Sequence, residues 1–100
     1  MTIGTMKSLL LNAHRDTIIT SARKHGATSV RLFGSFARGE ETFESDIDLL
    51  VEMEPHRSLL DIIALKLDIE DLTGRNVDIV TVKGVSPYLA EIILKEAIPL

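Results

Sequence analysis

One apolar run ends in Gly34-Ser35, and ten residues later a second opens with Asp46-Ile47-Asp48. No other feature constrains this chain as strongly. The first run must be a strand that turns sharply into a short polar, helical stretch. The second, Ile47 with Leu49-Leu50-Val51, must be a strand with carboxylates at its mouth. Residues two apart on a strand point to the same face, so Asp46 and Asp48 project side by side. Two carboxylates so placed can hold divalent cations through hard oxygen ligands. Gly34 lets backbone approach a ligand closely, and the helix start behind it turns free N–H groups towards a phosphate. A phosphate cradle facing a carboxylate pair is what metal-assisted phosphoryl or nucleotidyl transfer requires.

The remaining sequence supplies a small α/β frame. Residues 1–7 carry no element signal and read as a frayed end. Residues 8–25 lack Pro and Gly, and Leu11, His14, Ile18 and Ala22 recur at helical spacing, with Gly26 as the stop. A short strand is expected over 29–33, a polar loop over 39–45 and a second strand over 46–52. Ser58 with Asp61 forms an approximate capping box for a helix that runs to Thr73, with Gly74 ending it. Residues 76–82 read as a third strand, with Val77, Ile79 and Thr81 on one face and Asp78, Val80 and Val82 on the other. Ser86-Pro87 reads as N-cap and first position of a last helix, which Pro99 stops.

One hundred residues with no internal repeat or linker predict one domain over 1–100. With no cysteine there is neither a disulfide framework nor a thiolate metal site, which makes the cytoplasm the expected setting. Fifteen acidic against eleven basic side chains give a net charge of −4, and only four residues are aromatic. Both facts argue against direct nucleic-acid binding. No apolar run reaches the roughly 18 residues of a membrane span, and no secretory signal pattern opens the chain.

Asp48 sits inside an apolar run, where an unpaired buried charge is costly and a cation removes the cost. Asp78 repeats that arrangement within Val77-Asp78-Ile79-Val80; solvent exposure at a sheet edge is its alternative, but beside the Gly-Ser and Asp-x-Asp elements it reads as a third carboxylate of the site. Arg38, one short turn beyond Ser35, reads either as a guanidinium for phosphate or as a solvated arginine. Arg31 reads the same way, more weakly. Glu40, Glu41 and Glu44 read as a solvated acidic loop, and Ser45 as the residue that turns the loop into Asp46. Other motifs fail. Glu40-Glu41 stands where a P-loop needs Lys-Ser/Thr, and Leu50-Val51 replaces the ligand and glycine of an EF-hand. His14, His25 and His56 share no zinc spacing, and there is no Gly-x-Ser-x-Gly elbow.

The Gly34-Ser35 and Asp46-Ile47-Asp48 pattern resembles the DNA polymerase beta-like nucleotidyltransferases. Within them it resembles the minimal nucleotidyltransferase group, over roughly residues 30–80. The resemblance implies an α/β fold, a short mixed sheet of three or more strands flanked by about four helices. It implies that Asp46, Asp48 and Asp78 bind two Mg²⁺ ions and carry catalysis, and that Gly34, Ser35 and Arg38 bind ATP. It further implies a HEPN-domain toxin as partner, this chain being the antitoxin that moves AMP onto a tyrosine of that ribonuclease and releases pyrophosphate. Larger relatives add domains for the acceptor, whereas the catalytic sheet and helices use this whole chain, so a partner is expected to complete the acceptor site.

Two alternatives stay open: an antitoxin that inhibits by binding alone, through Tyr88, Leu89, Ile92 and Ile93 of the last helix, and a small-molecule nucleotidyltransferase. At least half of those four residues are expected in the core. The nucleotide base, the acceptor atom and homo-oligomerisation are left undetermined.

Overall fold

The computed structural model describes residues 8–100, and the reading of 1–7 as frayed falls outside them. Helix α1 spans Leu9–Lys24, and the Ser8 hydroxyl caps it by accepting from the Leu11 N–H at 3.2 Å. Leu11, Ile18 and Ala22 of its expected stripe are buried, and His14 is half-buried. Strand β1 (Ala27–Phe33) begins two residues before the expected start and runs directly into the five-residue helix α2 (Gly34–Arg38). Strand β2 (Ile47–Met53) follows the loop, and helix α3 (Leu59–Thr73) opens on the Ser58–Asp61 capping box. Strand β3 (Val77–Thr81), a 3₁₀ turn (Val82–Gly84), helix α4 (Pro87–Glu96) and strand β4 (Ile98–Pro99) complete the chain.

The sheet order is β3-β2-β1-β4, with β2 parallel to β3 and the other pairs antiparallel. This is the mixed sheet with four helices that the resemblance implies. Strand β4 has no sequence precedent. Pro99, expected only to stop a helix, pairs with Arg31 at the sheet's edge, a position where a residue lacking an N–H is tolerated.

Alternation along β2 divides the two faces. Ile47, Leu49 and Val51 join Leu11, Ile18, Leu32, Leu65, Ile69 and Val77 in one buried cluster beneath α1 and α3. Asp48 and Leu50 point the other way. The parallel register sets Ile47 beside Val77 and Asp48 beside Asp78, so the carboxylates share the face opposite the core. The tie between α1 and α3 is polar at one end: Asp68 accepts from His25 Nε2 at 2.7 Å and from the Ser21 hydroxyl at 3.1 Å. Both bonds hold the Asp68 carboxyl below its ordinary range.

Helix α4 departs from expectation. Tyr88, Leu89 and Ile92 are 77%, 45% and 48% exposed, and Ile93 is half-buried, so the core takes fewer of the four than expected. The buried anchor of the helix is Ala90. Among the described residues, no helix is long and apolar enough to cross a membrane.

Candidate active site

The strand-to-helix turn begins with Gly34 at φ +75°, a left-handed conformation that side chains rarely adopt. Antiparallel pairing sets Phe33 opposite Asp48, which brings the Asp48 carboxylate over the next residue, Gly34. A Cβ added to Gly34 would lie 2.1 Å from Asp48 Oδ2 and 2.9 Å from its Cγ. Glycine is therefore required twice over, by the backbone angle and by the carboxylate resting against it.

The three expected carboxylates occupy one end of the sheet. Asp48 is half-buried on β2, Asp78 is exposed on β3 in register with it, and Asp46 is exposed two residues before Asp48. Burial pushes the Asp48 carboxyl above its ordinary range. The Asp78 and Asp46 charges push it further, and Arg38 pulls it back. Asp78 does sit on an edge strand, as its alternative reading had it, yet its charge is felt at Asp48.

The residues expected to bind phosphate are hydrogen-bonded within the chain. The Gly34 N–H donates to Glu96 Oε1 at 2.7 Å, and Arg38 Nη1 donates to the same oxygen at 3.0 Å. Arg38 Nε donates to Glu40 Oε1 at 2.8 Å. Glu40 and then Glu96 raise the Arg38 pKa, so the guanidinium stays charged. Ser35 is half-buried, and its hydroxyl has no hydrogen-bond partner among the described residues. Arg31 is half-buried on β1, opposite Leu50. The acidic loop is less uniformly solvated than expected. Glu40 and Glu44 are exposed, but Glu41 is half-buried and its Oε1 is enclosed without a hydrogen-bond partner.

Three positions with no sequence signal hold these residues in place. Arg75, after the α3 stop, reaches back to donate to the carbonyls of Thr42 at 2.8 Å and Ser45 at 3.2 Å, with its guanidinium 5.6 Å from the Phe36 ring centroid. Ser45 tightens the same loop by accepting the Thr42 N–H at 2.8 Å. The residue before Asp78 is clamped by α3: the Val77 N–H donates to Glu70 at 3.0 Å, and its carbonyl accepts from Lys66 Nζ at 2.8 Å. The partners of Arg75, Glu70 and Lys66 in these contacts lie 7 to 33 positions away in the chain, beyond any local pattern.

Among the described residues, no three His, Cys, Asp or Glu side chains stand close enough to enclose a metal ion. The carboxylates instead form an open, all-oxygen set in which burial, and then the Asp78 and Asp46 charges, raise the Asp48 pKa. That set fits Mg²⁺, which typically takes one or two carboxylates, keeps water and draws its other ligands from substrate phosphates.

The nucleotidyltransferase domain family matches residues 16–100. A protein of Methanocaldococcus jannaschii that bears the name protein adenylyltransferase is 41% identical over 88 residues, 88% of this chain and 95% of that protein. The protein adenylyltransferase MntA of Thermococcus cleftensis is 33% identical over 98 residues, 98% of this chain and 95% of that protein. A solved structure described as a minimal nucleotidyltransferase superposes with a TM-score of 0.84 at 51% identity, covering 90% of this chain and 92% of the other. A toxin–antitoxin crystal structure with AMP-PNP superposes with a TM-score of 0.74 at 22% identity, covering 84% of this chain and 69% of the other. At that identity the last likeness concerns the fold.

Proposed function

The chain belongs to the nucleotidyltransferase domain family, in its minimal group, and is a nucleotidyltransferase; from that premise we propose that it is an antitoxin that adenylylates its toxin partner. The donor is ATP and the acceptor a tyrosine hydroxyl of a HEPN-domain ribonuclease in the cytoplasm. Relatives named as protein adenylyltransferases support the reaction, and a toxin–antitoxin structure with AMP-PNP of the same fold supports the setting. The observation that carries the reading is the Asp48 carboxylate packed on Gly34 with Asp78 beside it. It joins a charge-dense oxygen set to a backbone that a phosphate can approach.

Asp46, Asp48 and Asp78 would hold Mg²⁺, which supplies Lewis-acid neutralisation of the phosphates and a lowered pKa for the attacking hydroxyl. Gly34 N–H, the Ser35 hydroxyl and Arg38 orient the triphosphate. Arg38 is suited to this because a planar, permanently charged guanidinium matches phosphate oxygens. The acceptor oxygen bonds to the α-phosphorus as the bond to the bridging oxygen of the β-phosphate breaks. Pyrophosphate leaves, and the hydroxyl proton is lost to solvent or a base. An AMP on the ribonuclease adds bulk and negative charge where RNA phosphates must bind.

Exposed Tyr88, Leu89 and Ile92 on α4 favour the second reading, inhibition by binding alone. Pyrophosphate release from Mg–ATP in the presence of the partner separates the two. The enzymatic reading requires release that is lost in Asp48→Asn while the complex persists. Inhibition that survives the substitution favours the binding antitoxin.

A further inference from the structure

We propose that Glu96 closes the nucleotide cradle in the ligand-free protein by standing in for a phosphate oxygen. The inference rests on the reading of Gly34 and Arg38 as triphosphate donors. One oxygen, Glu96 Oε1, takes both: the Gly34 N–H at 2.7 Å and Arg38 Nη1 at 3.0 Å. A carboxylate oxygen with two convergent donors reproduces what a non-bridging phosphate oxygen would find there, in charge and in hydrogen-bond geometry.

The chain places this carboxylate firmly. Glu96 is the last residue of α4, and the next two residues, Ile98–Pro99 after Ala97, pair with Arg31 and Leu32 of β1. Leu100 is buried, and its N–H donates to the Val30 carbonyl. The backbone of Glu96 is therefore tied to the same strand that leads into Gly34, and only its side chain is free to rotate away. At 36% exposure that side chain lies within reach of an entering ligand.

The charges around it do not favour a merely structural contact. Glu96 pairs with Arg38, and its negative charge is felt at Asp48, where burial and the Asp78 and Asp46 charges already disfavour a carboxylate. A neutral acceptor would join α4 to α2 without that repulsion. A carboxylate instead satisfies both of the cradle's donors through one charged oxygen, as a phosphate oxygen would. Entry of the triphosphate displaces Glu96, so affinity is lowered by the contact that must first be broken.

The experiment is calorimetric titration of the full chain with magnesium tripolyphosphate, a probe that has the phosphates and no base. Glu96→Ala is expected to bind about fivefold or more tighter than the unaltered chain, the value of roughly one charge-assisted hydrogen bond at a solvated site. Glu96→Gln, which keeps the acceptor oxygen and loses the charge, is expected between the two. Glu91→Ala removes a carboxylate from the same helix, one that pairs with Lys95 at 3.9 Å, and is expected to leave affinity unchanged. The Gly34 amide proton, followed by NMR, should move upfield in Glu96→Ala and return downfield on adding tripolyphosphate. Unchanged or weaker binding by Glu96→Ala overturns the inference, because Glu96 would then only orient Arg38. An equal gain in Glu91→Ala also overturns it, in favour of bulk charge. Absence of binding in every form overturns the triphosphate reading of the cradle, and this inference with it.

Discussion

Gly34→Ala separates the two demands made on that glycine. At φ +75° an alanine is strained by about 1–2 kcal/mol, the general cost of the left-handed region for a side chain. Gly74 supplies the control. It sits at φ +70°, and a Cβ there meets nothing within 4 Å. Both substitutions therefore carry the same backbone strain, and each should lower the melting temperature by about 4–16 °C, at roughly 4–8 °C per kcal/mol for a domain of this size.

Only at Gly34 does the new carbon also land 2.1 Å from Asp48 Oδ2. Ordinary carbon contacts lie near 3.5–4.0 Å, so the carboxylate must swing away by more than about 1 Å. The carboxylate can rotate away, and Asp48 Cβ, 3.2 Å from the new carbon, must give by only a few tenths of an ångström, so the further loss of stability is small. A misplacement of that size at a reacting centre costs about 10²-fold in rate. Thermal melts should thus pair the two variants, while AMP transfer, measured well below both melting temperatures, should fall about 10²-fold in Gly34→Ala and stay near the unaltered rate in Gly74→Ala. Equal transfer by both variants would refute the placement of Asp48 at the reacting centre.

Asp48→Asn should raise the melting temperature in a metal chelator, because it removes a carboxylate that burial and two neighbouring charges disfavour. The same variant should lose transfer by more than about a hundredfold and lose stabilisation by Mg²⁺. A lower melting temperature in chelator would contradict the repulsion. Arg75→Met should slow transfer about tenfold by releasing the Thr42–Ser45 loop ahead of Asp46, leaving partner affinity unchanged in a pull-down titration. An unaltered rate would show that Arg75 does not position the loop for transfer. Asp68 has a pKa below its ordinary value near 3.8, because His25 and Ser21 bond its charged form. Its contribution to stability is therefore present above that ordinary value and is lost as the pH falls through the depressed one. Asp68→Asn should destabilise the fold at pH 7 and converge with the unaltered chain in strong acid. A deficit independent of pH would contradict the linkage.

What was legible in the sequence was local in its physics. The Ser58–Asp61 box, the stops at Gly26 and Gly74 and the Ser86-Pro87 start each satisfy orphaned helix-end groups with residues a turn away. Gly34-Ser35 and Asp46-Ile47-Asp48 were legible because strand period and a sharp turn leave few other uses for them. What escaped was long-range. Strand β4 exists because two residues after α4 find the open edge of β1, and no propensity in Ile98-Pro99 announces it. Glu96 reaches Gly34 across 62 positions, and Arg75 reaches Thr42 across 33. The exposed face of α4 escaped for another reason. Apolar spacing identifies a helix, but it does not say whether the sheet covers Tyr88, Leu89 and Ile92 or leaves them for a partner.

If the Asp46–Asp48–Asp78 site acts as proposed, it transfers AMP to a protein partner. Intact-mass spectrometry of the co-purifying partner, incubated with this chain and Mg–ATP, tests it most directly. The partner should gain the mass of one AMP, and the gain should be absent with Asp46→Ala. A stable complex that yields no adduct with any of the four nucleoside triphosphates would contradict it and leave inhibition by binding as the function.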